Sequence, residues 1–324
     1  MAKQFLFTKN NMSKKLISVV IPAYNEEECV DKLAEELKKF FAIYENKYDF
    51  EAIIVENGSL DNTYAKLLKI HSADDRFKIV KLTRNCRGDG GITAGMNYAK
   101  GDAMVIMYAD LEDPIENVAK FIEKWEQGYK NIYGIVKKRH CGFLRKMNSE
   151  IFYFIINKLT KNIIPRYVAD FRLVDKQVYR EINQFPEKNR FLRGLFAWSG
   201  FKSIGIEYER ATRFGGTSKA STIAVLALAL RGIFSFSHFP LRLSTILGAI
   251  TSTLSFVGIF YFIIQYIFFK YPFQGFGTIV CLMLLLFGIL FLLIGILGEY
   301  MGLVYEEVKS RPVYIVDELV GIKA

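Results

Sequence analysis

Two kinds of hydrophobic spacing divide this chain. Up to about residue 210, short continuous apolar runs alternate with stretches whose apolar positions recur every three or four residues. The runs read as strands buried on both faces, and the 3.6-residue period reads as amphipathic helices. LISVVIPAYNE (Leu16–Glu26) is a strand entering a turn broken at Pro22, and Glu26–Phe41 then carries Val30, Leu33, Leu37 and Phe40 or Phe41 on one helical face. Phe50–Ser59 and Phe77–Asn85 are the next strands, with Leu60–Ile70 as the helix between them. A glycine-rich turn (Gly88, Gly90, Gly91) leads into a helix over Ile92–Ala99. The central stretch AMVIMYADLEDPIE is a strand from Ala103 to Tyr108 that ends in Asp110, Glu112 and Asp113. Pro114 then opens a helix to about Gln127, at the first-turn position proline favours. Four strand–helix units in succession imply a nucleotide-binding type of α/β sheet with right-handed crossovers.

The pattern continues with strands at Asn131–Arg139, Val168–Lys176 and Phe201–Arg210, and with a helix over Pro186–Trp198 that puts Arg190 and Arg193 on one face. The segment 143–164 sets Arg145, Lys146, Lys158 and Lys161 against a wall of Ile, Phe and Leu. It suits a membrane surface or an ordinary core. Residues 221–239 form a further amphipathic stretch leading into two long apolar runs, Leu243–Phe269 and Gly277–Gly298. Each has the roughly 20 residues a bilayer crossing needs. Arg231 and Arg242 precede the pair, Lys309 and Arg311 follow it, and no charge lies inside either run. The positive-inside rule places the N-terminal α/β part and the C-terminus on the cytoplasmic side of an inner or plasma membrane crossed twice.

Composition changes the picture little. Of 324 residues, 51% are hydrophobic and 15% aromatic, with a formal charge of +10. In a chain with membrane segments such a basic balance points to anionic lipid rather than nucleic acid. The four cysteines (Cys29, Cys86, Cys141, Cys281) are scattered without metal spacing, as expected of reduced thiols. The first fifteen residues read as a loose tail and not as a secretory signal. The glycines after the third strand do not form GxGxxG, so a dinucleotide fingerprint is absent. Acids just past the carboxyl end of the central strand sit where open α/β sheets bind ligands. Asp110 and Glu112 alternate, so both could face one hard cation, Mg²⁺ or Mn²⁺, carrying a substrate's phosphates; equally, acids decorate helix N-termini because the macrodipole favours them there.

The motifs VIPAYNE, VENGSLDNT, LTRN…ITAGMNYAKGD, YADLEDP, ADFRL, NRFLRG and GEYMGLVYEEVKSRP together resemble a family 2 glycosyltransferase of the polyprenyl-phosphate type, such as bactoprenol glucosyltransferases and dolichyl-phosphate mannosyltransferases. The resemblance runs from about Leu16 to Val316. It implies a GT-A (Rossmann-like) α/β domain over 16–219, an interfacial helix over 220–240, a transmembrane hairpin over 241–298 and a cytoplasmic tail over 299–324. It also implies inverting transfer of a sugar, UDP-glucose by default, from a nucleotide-sugar to a polyprenyl phosphate such as undecaprenyl phosphate. Matched positions assign Pro22, Tyr24, Glu26, Glu56, Asp89 and Asp110 to the nucleotide-sugar, and Asp110, Asp170 and Arg172 to catalysis. Arg139, Arg145, Ser149, Arg190 and Arg193 match the lipid phosphate, with Arg213 and Lys219 as further cations, and Asp110 with Glu112 the metal. Some relatives are homo-oligomers, tetramers among them.

Five positions depart from the family pattern: Glu56 and Asn57 stand for two Asp residues, Val136 for an Arg, Tyr108 for the first acid of the D-x-D, and Glu112 for a Gln. Glu112, where Gln is usual, restores one negative charge. These departures keep a second reading open, a membrane-anchored pseudoenzyme or scaffold. A third, a processive polysaccharide synthase, lacks its QxxRW motif and its additional membrane helices.

Overall fold

A computed structural model describes residues 14–137, 167–211, 238–269 and 275–322. The expected N-terminal tail up to residue 13, the amphipathic segment 143–164 and most of 220–240 lie outside the described residues. Strands β1 (Lys15–Ala23), β2 (Tyr48–Glu56), β3 (Phe77–Leu82) and β4 (Ala103–Ile106) alternate with helices α1 (Val30–Tyr44), α2 (Thr63–Ala73), α3 (Arg87–Tyr98) and α4 (Asn117–Glu126). Then come β5 (Asn131–Val136), β6 (Val168–Asp175), α5 (Lys176–Asn183), α6 (Leu192–Trp198) and β7 (Ser203–Tyr208). Two long helices, α7 (Phe239–Phe269) and α8 (Phe276–Lys309), precede a last strand, β8 (Val316–Val320).

All eight strands share one sheet in the order β7-β5-β6-β4-β1-β2-β3-β8. β4, β1, β2 and β3 are mutually parallel, which their continuous apolar runs dictate because both faces are covered. The residues of β1 and β2 divide between two cores. Ile17, Val19, Ile21, Ala52 and Ile54 pack with α1, α2 and α4, whereas Val20, Ile53 and Val55 pack with α3, α5 and α6. β1 crosses over to β2 in one direction and β4 lies on its other side, so the chain reverses between β1 and β4. Their carboxyl ends open on a crevice at this switch point, the standard place for a ligand in such sheets. β6 enters antiparallel between β4 and β5.

Several expected boundaries shift for physical reasons. The glycines read as a turn lie inside α3, where they permit close approach. A Cβ at Gly88 would stand 2.5 Å from the Tyr108 hydroxyl, and one at Gly91 3.0 Å from the Pro22 Cβ. Pro114 sits in a turn ahead of α4, with Asn117 and Val118 amides donating to the Pro114 and Ile115 carbonyls. The helix expected from Pro186 begins only at Leu192. Upstream, the Glu307 carboxylate accepts from the Lys188 amide at 2.9 Å and the Asn189 amide at 3.3 Å, which holds 186–191 out of helical form. Arg190 therefore precedes α6 and does not share a helical face with Arg193.

α7 and α8 are both long and apolar enough to cross a membrane. At 1.5 Å per residue, the 34 residues of α8 span about 51 Å, some 20 Å beyond a hydrocarbon core. The surplus is the charged stem Glu299–Lys309, and it carries Glu307 to the 186–191 loop. The chain then returns to the sheet, where β8 pairs antiparallel with β3. Lys81 meets Asp317 at 2.7 Å and the Tyr64 hydroxyl donates to Glu318 at 2.5 Å. The region read as a tail thus forms the sheet's outer strand and protects the β3 edge.

Truncation after Ser310 removes this strand. The thermal midpoint of the detergent-purified protein is expected to fall by at least about 4 °C, measured by intrinsic fluorescence.

Candidate active site

The crevice is built from four chain segments. β1 exits through Asn25, a residue in left-handed conformation (φ 51°) whose side chain accepts from the Leu60 amide at 2.8 Å. The next amide, Glu26, donates to the Thr63 hydroxyl at 2.9 Å. β2 ends at Glu56, whose buried carboxylate accepts from the Ser59 amide at 2.5 Å and so closes the turn around Gly58. Gly58 has φ +72°, and a Cβ there would lie 2.6 Å from the Arg84 carbonyl carbon, so the turn needs glycine. Asn57 donates to the Arg87 carbonyl and accepts from the Cys86 amide, both at 2.9 Å. An amide can do both at once and a carboxylate cannot, which gives this departure from the family pattern a structural reason. Pro22, expected to break the strand, stays within β1 paired with Val55, Glu56 ends β2, and Tyr24 and Glu26 follow β1 in the loop, with Asn57 tied to the start of α3.

The third segment is β6. Alternation sends Ala169, Phe171 and Leu173 into one core and turns Asp170 and Arg172 to the opposite face. Asp170 meets Arg193 of α6 in a two-pronged pair, Nε to Oδ1 at 2.6 Å and Nη2 to Oδ2 at 2.7 Å. The Tyr108 hydroxyl adds a third bond at 3.2 Å. Arg172 is buried, donates to the Asp170 and Ala169 carbonyls, and lies 4.5 Å from the Phe196 ring centroid. Asp89, in the first turn of α3, accepts from the Leu192 amide at 3.4 Å. Tyr108, Asp170, Arg172, Arg193 and Asp89 form one cluster of two acids and two arginines, with Arg172 buried and the other four partly buried.

These groups do not titrate alike. Burial pushes the Asp170 carboxyl upward, but Arg193, Arg172 and the Tyr108 hydroxyl outweigh it and hold the group at about 2. Burial and the neighbouring Asp170 charge push Asp89 the other way, to about 7. Burial also raises the Tyr108 hydroxyl well above its usual range and lowers Arg172 to about 10.

The fourth segment is the acidic loop after β4. The Asp110 carboxylate accepts from the Glu112 amide at 3.2 Å, and Leu111 between them has φ 58°. Glu112 is paired with Arg210 at 3.2 Å, and its carbonyl accepts from the Ala211 amide at 2.9 Å. Asp113 turns inward, where the Tyr208 hydroxyl donates to it and the Arg210 Nε lies 3.4 Å away. Burial lifts Asp113 to about 6 against the pull of Arg210. Among the described residues no three His, Cys, Asp or Glu side chains converge as a metal cluster. Asp110 and Glu112 supply hard oxygen donors on one half-exposed loop, which fits a cation that draws its remaining ligands from phosphates and water.

Of the other predicted residues, Arg190 donates to the Asn183, Phe185 and Glu187 carbonyls, capping the end of α5. Arg139, Arg145, Ser149, Arg213 and Lys219 lie outside the described residues. Sequence reasoning missed Tyr208 and Arg210 as the frame of the acidic loop. They lie nearly a hundred residues from it, and no local spacing marks the pairing.

In Asp89→Asn the neutral amide replaces a group that binds its proton more tightly folded than unfolded. The Asp89 contribution to stability is therefore lost as pH rises from about 4 to about 7 in the wild-type chain, and the variant lacks that loss. The variant is expected to melt at least roughly 2 °C above wild type at pH 8 and to show no gain at pH 4. Paired thermal melts across that range check this.

Residues 18–182 match the family model described as glycosyl transferase family 2. The chain is 37% identical over 308 residues to the uncharacterized glycosyltransferase YkcC of Bacillus subtilis, covering 94% of each. It is 35% identical over 301 residues to the SfII prophage-derived bactoprenol glucosyl transferase of Shigella flexneri, covering 93% of this chain and 97% of that one. Among solved structures it is similar to glucosyl-3-phosphoglycerate synthase from Mycobacterium tuberculosis, at 15% identity and TM-score 0.45 over 68% of this chain and 78% of that one.

Proposed function

This chain belongs to glycosyltransferase family 2, and from that premise we propose that it transfers glucose from UDP-glucose to a polyprenyl phosphate at the cytoplasmic face of a membrane, with inversion at the anomeric carbon. The observation that carries the reading is the similarity to bactoprenol glucosyl transferase over 93% of the chain, which takes in the two long helices as well as the sheet. A water-soluble acceptor would need neither helix. The bond from the loop just ahead of Arg193 to α8 supports a lipid's headgroup lying near the site.

The chemistry follows from the acceptor. A phosphate monoester has its second pKa at about 6, so at neutral pH it is largely a dianion and attacks the sugar carbon without losing a proton to the enzyme. Asp170 fits that economy. Locked by Arg193 and held at about 2, it is a poor proton acceptor and a rigid anion. Its work is to fix Arg193 and Tyr108, so that the cationic groups around the crevice meet the reacting phosphates in one geometry. Glu26, Glu56 and the turns they close hold the nucleoside end. Asp110 and Glu112 would hold Mg²⁺ or Mn²⁺, which when bound offsets charge on the departing nucleoside diphosphate. Tyr108 in place of an acid keeps a third negative charge out of a cluster already holding Asp89 and Asp170, which favours an active arrangement over a pseudoenzyme.

Purified full-length protein in detergent, with undecaprenyl phosphate and a panel of UDP- and GDP-sugars, is expected to give a lipid-phosphate-hexose product with UDP-glucose by mass spectrometry. Chelator is expected to abolish it, and Asp110→Asn to slow it by at least about 100-fold. Nucleotide binding without product from any donor would reject the reading.

Replacing Arg193 with Ala leaves Asp170 buried without its ion pair, a loss of about 3–5 kcal/mol of stability. Arg193→Lys keeps the charge but not the two-pronged geometry, and is expected to fold yet turn over at least about tenfold more slowly in the same assay.

A further inference from the structure

Glu112 stands where the family resemblance has Gln, and the structure matches that extra charge with an arginine from another strand's end. Arg210 Nη1 donates to Glu112 Oε2 at 3.2 Å. Its Nε, buried and 3.4 Å from Asp113 Oδ1, makes no hydrogen bond among the described residues. The Ala211 amide, next in the chain, holds the Glu112 carbonyl at 2.9 Å. The guanidinium therefore bridges two acids, anchored by its ion pair with the buried Asp113 and hydrogen-bonded to the more exposed Glu112. The Tyr208 hydroxyl donates to the same Asp113 oxygen.

We infer that Arg210 is a positioning residue that serves as the resident counter-cation of Glu112, competes with the divalent cation for that carboxylate, and is released when the cation arrives with a nucleoside diphosphate. The inference rests on the reading of Asp110 and Glu112 as the cation's carboxylates. Two positive charges cannot share one carboxylate at contact distance without mutual repulsion, so the arrival of one loosens the other. Released from Glu112, the guanidinium keeps a planar donor fork suited to phosphate oxygens. Cation entry is thereby linked to the end of β7, through which the chain continues towards Arg213 and Lys219.

The test needs no turnover. Mn²⁺ binding to the full-length protein with UDP and no acceptor is read from the free-Mn²⁺ electron paramagnetic resonance signal. Arg210→Gln is expected to bind Mn²⁺ about threefold or more tightly than wild type, since a competing charge is gone. Glu112→Gln is expected to bind it more weakly. In the double variant the gain from Arg210→Gln is expected to vanish, because the two residues act through one carboxylate. Arg210→Lys retains the charge and is expected to stay within about twofold of wild type, which separates competition from misfolding. Unchanged or weaker binding in Arg210→Gln, with Glu112→Gln still weakened, overturns the competition and leaves Glu112 as a ligand. No effect of Glu112→Gln overturns the cation reading beneath it as well.

Discussion

A carboxylate cannot be held away from water without a partner, and Asp170 is the place where this chain meets that constraint. Its position is set by β6, whose alternation turns it away from the apolar core; its partner comes from α6, whose start is set by the 186–191 loop. Arg193 reaches it with both prongs, and Tyr108 reaches it from the end of β4. Three elements distant in sequence are thus required to meet at one pair of oxygens. Removing any of them leaves either a buried charge or a misplaced arginine, so the centre of the site is also a keystone of the fold.

The same logic connects the site to the membrane end of the molecule. The loop that starts α6 is held by Glu307, which rides on the charged stem of α8. Beyond it the chain closes the sheet as β8, where Asp317 and Glu318 meet Lys81 and Tyr64. The apolar helices are therefore joined to the catalytic sheet by hydrogen bonds and strand pairing as well as by chain continuity. On the function proposed above, this link would hold the site at a fixed height for an acceptor in the bilayer, which is what positioning chemistry requires.

The parallel half of the sheet was legible in the sequence because fully buried strands are continuous apolar runs, and VVIPA, AIIVE and AMVIM stand out as such. That Asp110, Glu112 and Asp113 follow the carboxyl end of a central strand was legible for the same reason. What was not legible rests on distance or on polarity. The strand VDELV is short, charged and at an edge, with no run to betray it. The insertion of β6 between β4 and β5 depends on pairing that no local spacing encodes. Arg210 and Glu112 lie nearly a hundred residues apart, and only the fold brings them together. Arg190 and Arg193 had the right spacing for one helical face, but the backbone ahead of Leu192 is bound by Glu307 and never becomes helical.

Asp170 is an ionised, arginine-locked carboxylate and a poor general base, which suits the proposed acceptor, one that arrives already charged. The most direct test compares single-turnover glucosyl transfer to undecaprenyl phosphate with transfer to undecaprenol, the same lipid without phosphate. The account predicts product from the phosphate alone. Glucosylation of the free alcohol at a comparable rate would require a base that removes its proton, and would contradict it.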